Sequence, residues 1–599
     1  MKRAFILAAF LCGLLVQNPI QAQKIILGDS PSDDISVRSS DQYRPWNRSD
    51  SCLAASTIGG AGLIYDELSA SRFLYQATLG SNLDEIRQLT RMGFENWIDH
   101  QMQVPATTYQ RETQNAYDEV VDWHFSLGGD SADIASRPDW RHFQYGWWTA
   151  HMNNPDKLRQ RIALALSEIF VVSIDSDLQG HGLGVSSYYD LFSRNAFGSF
   201  EDLLLQVTLH PAMGFYLSHL NNPKTDTAEN TRPDENYARE IMQLFTIGLL
   251  ELHPDGRWKL DSMGKPIPTY TQRDIKEFAK IFTGLGISAV MPNMYTDTAV
   301  FGMGIYLADM TKPMKMYESY HEPGVKQLLN GFSIPEGQTG MEDIRDAVRH
   351  LVHHPNTGPF ICKQLIQRLI KSNPTPEYVE RVSRIFDNDG KDQKGNLAAV
   401  IKAILLDPEA RDCADMMAPS NGQLREPLLR YSHFVRAIDI EQYYGRYWNI
   451  GYEYWAGTGQ IPLAAPSVFN FFSPFYTPRG EISNQGLVAP EFQIHNSRTS
   501  INYLNSVNAW SVYDYVMYSW EPDEPAAILN LASLKPYAQD PEVLVNRLDL
   551  LLTHGQLGDR TRGIIKETLS KFKSGDFRDQ RVRMALYLMM ISPDYAIFK

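Results

Sequence analysis

Residues 230–286 read NTRPDENYAREIMQLFTIGLLELHPDGRWKLDSMGKPIPTYTQRDIKEFAKIFTGLG, and this stretch decides the fold. Laid on a helix at about 100° per residue, residues 235–248 place Asn236, Arg239, Glu240 and Gln243 on one narrow stripe. Tyr237, Ile241, Leu244 and Phe245 then face the other side. A second amphipathic helix follows, with Ile275, Phe278, Ala279 and Phe282 as its apolar face. It opens on Thr271-Gln272-Arg273-Asp274, the acidic variant of a capping box, which gives Asp274 a structural task. Between the helices, residues 253–270 carry Asp255-Gly256 and Met263-Gly264 turns with short apolar flanks, the pattern of a small inserted hairpin.

The polar stripe has two readings. In one it is a solvated face on which Arg239 and its carboxylate neighbours satisfy one another. In the other, Asn236, Arg239 and Glu240 point into a polar cavity. Two helices joined by a hairpin pack side by side, which would gather Asp234, Glu240, Asp274 and Glu277. Four carboxylates together need a metal, Arg239 or raised pKa values to coexist. The catalytic candidates are therefore Asp234, Glu235, Asn236, Arg239, Glu240, Asp274 and His321. Glu240, Asp274, Glu277 and His321 are the candidate ligands of a divalent metal. His321 enters because a histidine beside a carboxylate, here Glu322, can ligate a metal or relay a proton.

Working outward, helical spacing recurs along the chain. Phe73, Leu74 and Ala77, then Ile86, Leu89, Phe94, Trp97 and Ile98, suggest two short helices. Residues 158–172 suggest a long buried helix. Ile344, Ala347, Val348, Leu351 and Val352 mark another, and Val379, Val382, Ile385 and Phe386 one more, opened by Thr375 as cap and Pro376 in the first turn. His350 and His354 have ligand-compatible spacing, but C-terminal capping before Pro355 is the simpler reading. The Asp387-to-Asp392 run fails the EF-hand spacing and reads as an acidic turn before an Asn396 cap. No repeat marks a solenoid. The expected architecture is mostly α: a large irregular multi-helix domain over residues 61–599 with a small β-hairpin insertion. Its aromatic-rich C-terminal part begins at about residue 423.

Residues 1–22 read as a signal peptide: Lys2 and Arg3, an apolar run over residues 4–16, and Ile20-Gln21-Ala22 as cleavage site. The run is shorter than the roughly 20 residues of a spanning helix. Residues 23–60 form an irregular leader. The expected address is outside the cytoplasm, in the periplasm or the medium. Of the 4 cysteines, Cys12 leaves with the signal. The remaining three, Cys52, Cys362 and Cys413, cannot all pair within one chain, and a Cys362–Cys413 bridge is compatible with an oxidising compartment. The formal charge of −14 argues against nucleic acid as partner, since phosphates demand a basic footprint. There is no H-E-x-x-H, G-x-S-x-G, Walker loop or G-x-G-x-x-G, which weakens zinc protease, α/β-hydrolase, nucleotide hydrolase and dinucleotide readings. Tyr443, Tyr444, Tyr447, Trp448, Tyr452, Tyr454 and Trp455 crowd together, and aromatic faces with polar tips suit sugars as well as a core.

ENYAREIMQLFTIG and YTQRDIKEFAKIFTG resemble the signature of the bacterial family catalogued as domain of unknown function 1800. The stretches SRFLYQATLGSNLDEIRQLTRMGFENWIDHQM, LRQRIALALSEIFVVS, HPAMGFYLSHLNN, YHEPGVKQLLNG, HHPNTGPFICKQLIQRLI, PSVFNFFSPFYTPRG and RVRMALYLMMISPDYAIFK agree with it. The resemblance covers roughly residues 61–599. It implies a secreted or periplasmic helical protein, often encoded beside secreted proteins like the sulfatase and alkaline phosphatase superfamily. It passes on no catalytic role. One departure stands out: where many members carry a histidine-bearing segment resembling FWHNHF, this chain has ALSEIFVVS, residues 165–173, with Glu168 its only charged residue. Two main functions of different class are expected, with a third kept beside them. The first is a binding or assembly protein working with a sulfatase- or phosphatase-like partner and a polysaccharide. The alternatives are a metal-dependent hydrolase centred on the two signature helices, or a glycan-binding protein.

Overall fold

A computed structural model describes residues 67–599 apart from 293, 295, 413–417, 419, 449–455, 515 and 517–520. The stretches read as a signal peptide and a leader, Cys413 and part of the aromatic cluster lie outside the described residues. Among those described, helices dominate, and the strands are four antiparallel pairs of two residues each. The fold is mostly α.

The described residues open on three helices where the periodicity suggested two: Glu67–Ala77, Leu83–Met92 and Phe94–Gln103. Gly93, at φ 84°, breaks the latter two apart, a backbone conformation glycine adopts without a Cβ penalty. Asn82 caps the second helix by accepting from the Glu85 N–H while Glu85 returns the bond. The Tyr109–Ser126 and Trp140–Asn153 helices then pack against each other. Gly146 permits their approach: a Cβ there would lie 2.7 Å from the Glu112 carbonyl carbon.

The buried helix expected over residues 158–172 is shorter, Lys157–Ser167. Ser167 Oγ turns back onto the Leu164 carbonyl at 2.8 Å, and the β-branched Ile169, Val171 and Val172 that follow disfavour further helix. Ser173 instead bridges to Ala464. This early end leaves Glu168 at the C-cap, where its side chain leaves the helix rather than lying along it.

The central motif folds as a helix Asn236–Gln243, a β-meander and a helix Gln272–Ile281. The first helix ends before residue 248 because Gly248 takes φ 69° and the Thr246 hydroxyl bonds the Ile241 carbonyl. The inserted hairpin carries a third segment: Leu252 bridges Trp258, Leu260 bridges Pro266, and Leu250 bridges Pro268. Downstream, Gly340–His353 and Pro376–Asp387 are helical, the latter capped by Thr375, whose hydroxyl accepts from the Tyr378 N–H, with Pro376 in its first turn. Asn396 caps the next helix after the acidic turn, and His354 is the C-cap before Pro355.

One contiguous apolar cluster runs from Ala70 to Tyr595. The Gln423–Leu424 and Ile597–Phe598 strands pair antiparallel, tying the C-terminus back to the start of the Pro427–Ile438 helix. Many polar and charged side chains are buried as well. Arg425 lies 4.3 Å from the Tyr75 ring centroid and 4.7 Å from that of Tyr595, so its charge rests against aromatic faces. No helix among the described residues is long and apolar enough to cross a membrane.

Candidate functional site

The signature helices first. Asp234 accepts from the Asn236 N–H at 2.7 Å and so caps the first helix from outside. Glu235 takes Gln272 Nε2 at 2.5 Å and faces Arg239 at 3.5 Å. Asn236 is exposed and reaches Ser218 at 3.3 Å. Asp274 accepts from both the N–H and the hydroxyl of Thr271 at 2.7 Å. Glu277 pairs with Lys280 at 2.6 Å and accepts from the Gln327 N–H at 3.1 Å. Each of these groups is therefore engaged in a cap or a local pair.

Glu240 differs. It is buried, its Oε2 has no hydrogen-bond partner, and burial holds its carboxyl above the usual range. The Asp234, Glu240, Asp274 and Glu277 carboxylates are not brought into a metal-ligating group, and no such group of His, Cys, Asp and Glu occurs among the described residues.

His321 sits in a separate buried trio. Its Nε2 is 3.1 Å from Asp343 Oδ2, which Lys326 Nζ meets at 2.5 Å. Its Nδ1 lies 3.0 Å from the Thr283 carbonyl. Asp343 is fully buried, Lys326 and His321 nearly so. The trio ties the Gly340–His353 helix to the Lys326–Gln327 strand and has the geometry of an internal fastening.

The aromatic segment wraps its own cation. The Arg446 guanidinium lies 3.9 Å from the Trp448 ring, 4.6 Å from Trp123 and 4.8 Å from Tyr444, and pairs with Glu524. Tyr443 and Tyr444 remain exposed.

A cavity of about 330 Å³ lies elsewhere among the described residues, inside the range of small-molecule sites. The Thr357–Leu369 helix forms one wall and contributes Phe360, Lys363, Gln364, Gln367 and Arg368. The turn after the first signature helix adds Gln243, Leu244 and Gly248, and the meander adds Leu249, Leu252 and Trp258. Residues 468–475 close the far side, and Glu168 reaches in from the helix end. Thus Gln243 is the member of the predicted polar stripe that reaches this cavity. A Cβ on Gly248 would meet the Phe360 ring at 2.6 Å, so that wall requires glycine at this turn.

The rim is apolar and open to solvent: Leu249, Trp258, Phe469 and Phe475 are each more than half exposed. The floor is polar and buried. Arg368 donates to the Glu168 carbonyl at 2.9 Å, and its Nε lies 3.5 Å from Glu168 Oε2. Gln460 Nε2 bonds both Glu168 Oε1, at 3.2 Å, and Glu426 Oε2, at 2.5 Å. Burial first, and then the neighbouring Glu426, hold the Glu168 carboxyl well above the ordinary carboxylate range. Two carboxyls this close share a proton more readily than they ionise together. Deeper still, burial pushes Glu491 up to about 8. Gln367 is locked by the Ser372 and Pro474 carbonyls, at 3.0 and 3.2 Å, which fixes residues 468–475 to the helix.

These cavity residues were not among the sequence candidates. A signal existed: Lys363, Gln364, Gln367 and Arg368 fall on one face of an otherwise apolar helix, at the i, i+4 spacing.

The sequence agrees with the model of a protein family of unknown function, DUF1800, over residues 72–597. The chain belongs to the DUF1800 family. Compared with curated proteins and with solved structures, it matches none. In this DUF1800 protein, three of the stretches that carry the family resemblance meet at the cavity, those containing Gln243 to Gly248, Phe360 to Arg368 and Val468 to Phe475, joined by Glu168 from the segment that departs from the family.

Proposed function

We propose that this DUF1800 protein is an exported binding protein whose ligand sits in the cavity against the Thr357–Leu369 helix. The observation that carries the reading is a solvent-open apolar rim of Leu249, Trp258, Phe469 and Phe475 above a buried polar floor of Glu168, Gln364 and Arg368. An apolar wall supplies binding energy, and a few fixed polar groups supply orientation. Export follows from the signal-like residues 1–22. A sulfatase- or phosphatase-like secreted partner, and a polysaccharide as its target, follow from the family resemblance. Co-purification from the periplasm or medium tests that part.

The full-length protein should bind the neutral fluorophore N-phenyl-1-naphthylamine with an emission increase. Leu249→Glu and Phe475→Glu should each weaken binding about tenfold or more, because burying one such side chain contributes about 1.5–3 kcal/mol. Binding that ignores both substitutions sinks the proposal. A metal-dependent hydrolase at the signature helices keeps one supporting observation, the buried and unpartnered Glu240 Oε2. Elemental analysis of the parent beside a Glu240→Ala/Asp274→Ala variant tests it: stoichiometric metal lost in the variant would favour the hydrolase.

A further inference from the structure

Around the cavity floor, several N–H groups have no acceptor within the protein. Gln364 Nε2, Asn470 Nδ2 and Arg368 Nε are buried and make no hydrogen bond. Arg368 Nε faces Glu168 Oε2 only at 3.5 Å, while its two terminal nitrogens are spent on the Gln364 and Glu168 carbonyls. Lys363, half-buried on the same wall, makes no ion pair or hydrogen bond among the described residues, and burial alone lowers its pKa. Buried donors without acceptors are rare because each forfeits its hydration with nothing in exchange. Three helical positions and one loop position lining the same cavity therefore leave donors there without a full acceptor, the nearest protein candidate being the unpartnered Glu168 Oε2 at 3.5 Å from Arg368 Nε.

The character of the missing acceptor follows from what surrounds it. Glu168 is the carboxyl group of the lining, and burial and then Glu426 push its pKa up, which weakens its repulsion of an anion. Lys363 brings one uncompensated positive charge, which matches one negative charge. The two terminal nitrogens of Arg368 each already serve a backbone carbonyl, and the single uncompensated lysine charge matches a monoanion better than a doubly charged phosphate or sulfate, whose second charge would be buried unpaired. The remaining lining is aliphatic and aromatic and leads outward past Phe469, Phe475 and Trp258.

Resting on the cavity reading above, we propose that the ligand is an apolar carboxylate, with its carboxylate group held by Lys363, Gln364, Asn470 and Arg368 and its apolar body along the rim. Lys363 and Arg368 act here as binding residues; no covalent step is involved.

The test uses the full chain and two measurements. Decanoate, decan-1-ol and decylamine compete against N-phenyl-1-naphthylamine, and decanoate is titrated directly by calorimetry. Decanoate should displace the probe at a concentration at least tenfold below that needed for decan-1-ol, with decylamine weakest. In Lys363→Met the acid and the alcohol should fall within about twofold of each other while the probe still binds, and Lys363→Arg should keep the preference for the acid. Probe binding with equal displacement by acid and alcohol in the parent overturns the carboxylate assignment and leaves the cavity reading standing. Absence of both probe and decanoate binding overturns both. A preference for decanoate that survives Lys363→Met overturns the assignment of the lysine and moves the anion to another site.

Discussion

Lys326→Met should be among the most damaging single substitutions in this protein, although Lys326 lies far in sequence from the cavity residues. The side chain is 3% exposed and its ammonium meets Asp343 Oδ2 at 2.5 Å; Asp343 is 0% exposed and its Oδ1 has no other partner. Removing the cation leaves a carboxylate in the interior supported by His321 alone, and breaking such a pair costs about 3–5 kcal/mol. Replacing both members, as Lys326→Met/Asp343→Leu, removes the stranded charge. What remains is an unpartnered His321 Nε2, a cost of about 1–3 kcal/mol. The double variant should therefore be more stable than the single one. The roughly 510 described residues at about 2.1 cal/mol/K each give an unfolding entropy near 1.1 kcal/mol/K, so the single variant should lose about 3–5 °C in a cooperative melt. Urea titration should show a lower midpoint at unchanged slope. A single variant within about 1 kcal/mol of the parent, or a double variant worse than the single, refutes the reasoning. Either result would return His321 to the functional candidates.

Three further outcomes follow from the same structure. Asp274→Ala removes the acceptor of two Thr271 bonds and should cost about 0.5–2 kcal/mol in urea titration without changing metal content; a change in bound metal contradicts the capping role. Glu491 has its pKa raised to about 8 from an unfolded value of 4.5. The stabilisation it contributes is full below pH 4.5 and is lost as the pH rises through 8, up to about 5 kcal/mol. Glu491→Gln should flatten the stability profile over that window, and profiles that run parallel show the carboxyl ionises without penalty. Gly248→Ala forces a Cβ into φ 69° and against Phe360; the backbone part alone costs about 1–2 kcal/mol, and probe binding should weaken with it. Unchanged stability and unchanged binding would show that the wall adapts freely.

The sequence by itself determined the elements whose causes are local. Helix periodicity, the Thr375-Pro376 start, the Thr271 to Asp274 box and the turns of the meander depend on residues within about four positions of one another, so the string carries them. The family was legible for the same reason, in the uninterrupted stretches around residues 235–248 and 270–284. Which polar groups meet was decided only by the tertiary structure. The Asp274 carboxylate, on the page a candidate ligand, is consumed by its own cap. His321 is claimed by Asp343 and Lys326 from a different helix and strand. Glu168 reaches the cavity because its helix stops one residue earlier, and it meets Arg368 and Gln460 from positions hundreds of residues away. Such juxtapositions have no periodic signature. They arise when apolar faces pack and carry polar side chains out of water, and only then does the absence of a partner for Lys363 or Gln364 become a statement about a ligand.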